Sequence, residues 1–131
     1  MNKFKLYTDG GARGNPGPAA IGGVLYEADK KIKTFSALIG KTTNNQAEYQ
    51  ALIKGLELAL KHGVRELDCF LDSELVVKQL NKEYKVKDKN LAKIFVQVWN
   101  LAIKFKKITF SHVRRELNKE ADKLVNEALD S

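Results

Sequence analysis

The sequence predicts an α/β fold built on a five-stranded mixed sheet, an antiparallel meander plus parallel strands, flanked by helices. Three observations predict it. As far as Ile39 the chain alternates apolar and polar residues between turn-forming clusters, Leu67 to Leu71 is a near-continuous apolar run, and several later segments repeat apolar residues at helical spacing. Alternation marks half-buried strands, whereas a short apolar run marks a strand covered on both faces.

From Lys3 to Thr8, Phe4, Leu6 and Thr8 fall on one side and Lys3, Lys5 and Tyr7 on the other. The strand is expected to close at Thr8-Asp9, where Gly10-Gly11-Ala12-Arg13-Gly14-Asn15-Pro16-Gly17-Pro18 reads as a turn. Ala19 to Tyr26 and Lys31 to Ile39 complete the meander through the polar turn Glu27-Ala28-Asp29-Lys30. Thr43-Asn44-Asn45-Gln46 has the form of a capping box, and Leu52, Gly55, Leu56 and Ala59 carry a helix on to Gly63. The run Leu67 to Leu71 is the buried parallel strand, and it ends at Asp72. A short helix from Ser73 to about Asn81, a Lys-rich connector from Lys82 to Lys89, and a helix with the stripe Leu91, Ile94, Phe95, Val98, Leu101, Ala102 and Phe105 follow. Lys107 to His112 is the last strand. Asn118 is placed to cap a final helix with Ala121, Leu124, Val125 and Ala128 on one face.

With 131 residues, 44% of them hydrophobic, the chain fits one domain spanning 1–131. Its 23 Lys and Arg against 16 Asp and Glu give a net charge of +7, which favours a polyanionic partner. The single cysteine, Cys69, has no partner for a disulfide and reads as a core filler. No leader pattern or membrane-length apolar run occurs, so a cytoplasmic protein without membrane contact is expected.

Four acids stand out against this basic background. Asp9 and Asp72 fall at strand ends, the edge where open α/β sheets place ligands. Glu48 lies one turn before Leu52 on the inward side of its helix, and Asp122 lies in the first turn of the last helix. Each has an ordinary explanation: a turn-forming Asp-Gly, a helix-surface acid, an N-cap for the Ser73 helix and compensation of a helix dipole. Their joint placement points instead to divalent cations, because two ions about 3.5–4 Å apart need several hard oxygen ligands to activate water and stabilise a leaving phosphodiester oxygen. His112, ten residues before Asp122, suits a proton shuttle as well as it suits a strand-end surface histidine. His62, beside Gly63, reads as a partner of a helix C-terminus.

These residues carry a family resemblance. Through Tyr7-Thr8-Asp9-Gly10 with Gly14-Asn15-Pro16-Gly17, Thr42-Thr43-Asn44-Asn45-Gln46-Ala47-Glu48, Leu71-Asp72-Ser73, and His112 through Asn118 to Ala121-Asp122, the chain resembles ribonuclease H type 1 over nearly its whole length. The resemblance implies the RNase H-like fold and an endonuclease using two divalent cations, Mg²⁺ or Mn²⁺. It would hydrolyse the RNA strand of RNA/DNA hybrids without sequence preference, leaving 3′-hydroxyl and 5′-phosphate ends. Asp9, Glu48, Asp72 and Asp122 would be both metal ligands and catalytic residues. Gly10, Gly11 and Asn44 would lie against the minor groove, Thr43 and Asn45 would hold a DNA-strand phosphate, and Asn15, Ser73 and the residue at 74 would complete the substrate contacts. A monomer is expected.

The chain departs from the family pattern in three places. Position 74, often glutamine, is Glu74, which loses an amide donor and adds negative charge. The segment before the Leu91 helix is too short for a basic handle helix, leaving Lys82, Lys85, Lys87 and Lys89 to replace it in part. No glycine-flanked loop carries His112, so Arg115 is an equal candidate for assisting product release. The rival readings are a nuclease of the same fold that also cuts double-stranded RNA, and a catalytically weak module that binds hybrids.

Overall fold

A computed structural model describes residues 3–131 and contains the predicted order of elements. The strands are β1 (Phe4–Ala12), β2 (Gly17–Glu27), β3 (Lys30–Thr42), β4 (Glu66–Leu71) and β5 (Lys107–His112). The helices are α1 (Asn44–Lys61), α2 (Glu74–Leu80), α3 (Lys89–Ala102) and α4 (Lys119–Asp130), with one 3₁₀ turn at Arg115–Leu117. Strand order is β3-β2-β1-β4-β5; β1 runs antiparallel to β2 and parallel to β4, which runs parallel to β5. This is the mixed sheet expected.

The main core lies on the face covered by α1. Leu6, Leu25, Cys69 and Leu71 meet Leu52, Leu56 and Ala59 there, all with essentially no exposure. Each large aliphatic side chain so buried contributes about 1.5–3 kcal/mol. Cys69 is the core filler expected, and burial pushes its thiol pKa well up. On the other face α4 lays Val125 and Ala128 over Ala20. Leu91, Val98 and Ala102 of the predicted α3 stripe are buried, while Ile94, Phe95 and Leu101 pack at its margin and Phe105 lies beyond the helix end.

Several local expectations are corrected. Gly10 and Gly11 do not turn: β1 stays extended to Ala12, pairing Gly10 with Ile21, Gly11 with Ala20 and Ala12 with Ala19. Asp9 therefore lies inside β1, one residue past the end of its parallel pairing with β4. The glycines serve approach rather than reversal. A β-carbon on Gly10 would collide with the Ala47 carbonyl, and one on Gly22 would stand 2.7 Å from the Ala121 carbonyl and 3.0 Å from the Val125 nitrogen. Both helices thus press directly on the central strands.

Capping also differs in detail. Thr43 Oγ1 accepts from the Gln46 N–H at 3.2 Å, but Gln46 Oε1 accepts from Thr42 Oγ1 rather than completing a box. Ser73, not Asp72, caps α2 by accepting from the Val76 N–H, which leaves the Asp72 carboxylate free of that duty. Asp88 caps α3 by accepting from Asn90 and Leu91. Asn118 precedes α4 but makes no side-chain cap. No helix among the described residues is long and apolar enough to cross a membrane.

Gly22→Ala should lower stability by about 1–3 kcal/mol, since the backbone of α4 must shift to admit the methyl group. Gly11→Ala, whose new β-carbon would find Val125 at 3.9 Å, should stay near wild type. Urea unfolding of both variants checks the contrast, and equal losses would refute the close-approach reading of Gly22.

Candidate metal and nucleic-acid site

The parallel register pairs Thr8 with Leu71, so Asp9 and Asp72 follow side by side where the two strands part. The close approach at Gly10 brings α1 over this point, and the Gly10 N–H donates to Glu48 Oε1 at 2.9 Å. As a result Asp9, Glu48 and Asp72 each offer a carboxylate oxygen within 4.8 Å of the others. Asp9 is 8% exposed and Glu48 6% exposed. Asp122 lies outside this trio on α4, a third exposed, with Asn126 Nδ2 at 3.4 Å and Arg115 at 3.8 Å.

Burial and crowding disfavour charge here. The Asp9 pKa is pushed up to about 7, chiefly by burial, with repulsion from Asp72 and Asp122 adding to it and its hydrogen bond with Glu48 opposing it. Glu48 is raised well above the carboxylate range, again by burial first and then by Asp9, although the Gly10 N–H pulls the other way. Glu48 Oε2 is fully buried and has no hydrogen-bond partner. Such an oxygen is costly unless a ligand compensates it, and a hard divalent cation matches an all-carboxylate donor set. These residues fit a metal.

One further side chain ties the site together. Asn118 is 1% exposed, and its Nδ2 donates to the Thr8 carbonyl at 2.9 Å and to Asp72 Oδ2 at 3.2 Å. Its own carbonyl accepts from the Asp122 N–H at 3.1 Å. Three of the four acids are therefore linked through a residue that the sequence reading assigned only to capping. Nothing in its spacing betrays contacts 110 and 46 residues away.

The acids floor an open groove of about 390 Å³. Of the expected substrate contacts, Gly10, Gly11, Asn44, Asn45 and Ser73 line it, and so does Arg115. Asn15 stands behind the lining: its Oδ1 accepts from the Asn44 N–H, while Asn44 Oδ1 accepts from Ala12. Thr43 is not in the lining, and its hydroxyl is occupied in capping. Glu74 is exposed outside the groove and pairs with Lys78 at 3.2 Å. His112 sits exposed at the end of β5, opposite Leu71 in register and not in the lining. The sequence reading missed Arg13 and Asn126, which also line the groove. Asn126 was within reach, since it lies one helical turn beyond Asp122.

Comparison with known proteins follows the same lines. Residues 7–128 match the family model described as reverse transcriptase-like. A ribonuclease HI of Halobacterium salinarum is 45% identical over 129 residues, covering 98% of this chain and 65% of that protein. The bifunctional protein Rv2228c of Mycobacterium tuberculosis is 44% identical over 98% of this chain, which spans only 36% of that relative's length. Among solved structures, RNase H1 from Halobacterium salinarum superposes with a TM-score of 0.95 at 43% identity, covering 98% of both chains. LC11-RNase H1 in complex with an RNA/DNA hybrid superposes with a TM-score of 0.93 at 44% identity, covering 98% of this chain and 97% of that one.

Asp9 has a folded-state pKa above its unfolded value, so its stability contribution is intact below about pH 4 and is lost as pH rises towards 7. In chelator, Asp9→Asn should therefore match wild type near pH 3.5 and be more stable by over ~1 kcal/mol above pH 7. A divalent cation should shrink that advantage. Thermal melts across pH test this, and a variant no more stable than wild type at pH 8 would contradict the electrostatic reading. Asn118→Ala should cost about 1–3 kcal/mol at all pH values, because it strands the buried Thr8 carbonyl and the half-buried Asp72 carboxylate.

Proposed function

The chain belongs to the reverse transcriptase-like family, and from that footing we propose that it is a ribonuclease H that cuts the RNA strand of RNA/DNA hybrids. The observation that carries the reading is the trio of buried Asp9 and Glu48 with half-buried Asp72, including an unpartnered Glu48 oxygen, opening on a groove walled by Asn44 and Asn45. Names borne by its relatives and the hybrid held by LC11-RNase H1 support the same substrate class.

Asp9, Glu48 and Asp72 would hold two divalent cations, Mg²⁺ or Mn²⁺, with Asp122 joining from α4. Such cations supply an activated water and neutralise the leaving oxygen of the phosphodiester. The chain's own contribution is positioning. Asn118 holds the Asp72 carboxylate and the β1 backbone at fixed spacing, and the Gly10 N–H orients Glu48. Gly11 exposes backbone beside Asn44, with Gly10 buried behind it, and because Asn44 Oδ1 is engaged by Ala12 its amide nitrogen remains to meet a 2′-hydroxyl. Backbone and amide groups of this kind read sugar rather than base, which accounts for sequence independence. Asn45 and Ser73 extend the contact along the groove, and Asn15 acts by orienting Asn44. Thr43 reaches a phosphate only if its hydroxyl serves that contact together with its cap.

Arg115, in the groove and beside Asp122, is better placed than His112 to assist release of the cut strand. Glu74, paired with Lys78 outside the groove, contributes little to the contact. The exposed Lys82, Lys85, Lys87 and Lys89 lengthen the basic surface available to the duplex.

The test uses an RNA strand labelled at one end, presented as single strand, RNA/RNA duplex and RNA/DNA hybrid, with Mg²⁺, Mn²⁺ or chelator. Metal-dependent cutting of the hybrid alone is expected, and Asp72→Asn should bind without cutting. Cutting that survives chelator or Asp72→Asn would remove the metal scheme, and equal cutting of RNA/RNA would widen the substrate class. His112→Ala should slow turnover by less than about 100-fold, below the full range of general acid–base catalysis.

A further inference from the structure

The groove holds one cation whose placement the catalytic reading leaves unused. Arg13 follows the last residue of β1, and its N–H donates to the Pro18 carbonyl at 2.8 Å, which pins the tip of the β1–β2 hairpin. The neighbouring bonds from Ala12 to Asn44 and from Asn44 to Asn15 staple the same segment to the start of α1. Its guanidinium reaches the other way, to the last residue of α4, where Nη1 stands 2.6 Å from Asp130 Oδ1. It holds the Asp130 carboxyl below its ordinary pKa through that hydrogen bond and its charge.

Arg13 and Arg115 are the basic residues in the groove lining, against the acids Asp9, Glu48, Asp72 and Asp122. Each arginine is matched by a carboxylate of α4, Asp122 for Arg115 and Asp130 for Arg13. The Arg13–Asp130 pair is half exposed or more on both sides, and exposed ion pairs hold weakly. A phosphate offers the planar guanidinium a bidentate, charge-assisted partner instead. Asp122 and Asp130 are eight residues apart, so the two anchoring points lie ~12 Å apart along α4.

We propose that Arg13 is an anchor for a backbone phosphate at the end of the groove remote from Asp122, held on Asp130 until the duplex arrives. The proposal rests on the hybrid-cutting reading and adds to it a contact remote from the metals. Arg13 exchanges one carboxylate for one phosphate, keeping a basic group charged and positioned at the mouth of an acidic groove.

The experiment measures binding of an uncut hybrid to Asp72→Asn protein from 50 to 200 mM salt, with and without Arg13→Ala or Asp130→Asn. Removing one phosphate contact should lower the salt slope by about 1, so that Arg13→Ala loses about threefold less affinity than its parent over that range. Asp130→Asn should tighten binding by about twofold or more at low salt, because the competing carboxylate is gone. Uncharged methylphosphonate linkages walked along each strand should weaken the parent at one position away from the cut and leave Arg13→Ala indifferent there. An unchanged slope in Arg13→Ala, with the wild-type enzyme cutting hybrid normally, would overturn the anchor. Weaker binding in Asp130→Asn would overturn its role as a competing rest position. If wild type neither binds nor cuts hybrid, the functional reading fails first and this one falls with it.

Discussion

The close approach of α1 to β1 at Gly10 is the constraint on which the site depends. With no β-carbon there, the Ala47–Glu48 backbone settles against the central strand and the Gly10 N–H takes Glu48 Oε1. The same contact carries Glu48 out of water and against Asp9. A larger residue at Gly10 would force the helix outward and separate the acids. Packing and electrostatics are thus opposed in the metal-free protein: the helix is stabilised by the core it covers, while the carboxylates it delivers are driven towards their neutral forms. Apolar burial by Leu52, Leu56 and Ala59 just beyond the site supplies the compensation.

Most of the fold was legible because its signals are local. Alternation, the apolar run of β4 and the α3 stripe each report on one element, and strand order follows from short connections and parallel crossovers. The glycine-rich stretch misled for a physical reason. Glycine marks both turns and sites of close backbone approach, and only the partners of Gly10 and Gly22, far away in sequence, distinguish the two. Capping assignments blurred similarly, since Asp72, Ser73 and Asn118 are all capable caps and only Ser73 performs that task at its helix.

The candidate site was legible in its acids and less so in their supports. Asp9, Glu48 and Asp72 announced themselves by their positions at element ends or on an inward face, and the structure gathers them, with Asp122 beside Asp9 on the groove wall. Asn118 was hidden because a buried amide joining Thr8 to Asp72 is a tertiary fact with no periodicity. Arg13 was hidden by its setting, since a basic residue among turn formers reads as solvated. The His112 expectation rested on spacing and on an imidazole's fitness for proton transfer near neutral pH, and neither carries a strand-end side chain into a groove formed by other elements.

The four acids differ in how each is held as well as in burial. Asp9 and Glu48 are enclosed, and Asp72 is tethered by Asn118, so their separations follow from the sheet and α1. Asp122 stands on a helix surface, a third exposed, between Asn126 and Arg115. Asp9 and Glu48, fixed by burial, and Asp72, held by Asn118, would set a cation's position, whereas Asp122 would join them from a helix surface where it has alternative partners. The β1 backbone, Asp72 and Asp122 meet at Asn118, whose side chain fixes the first two and whose carbonyl anchors the third only through its backbone.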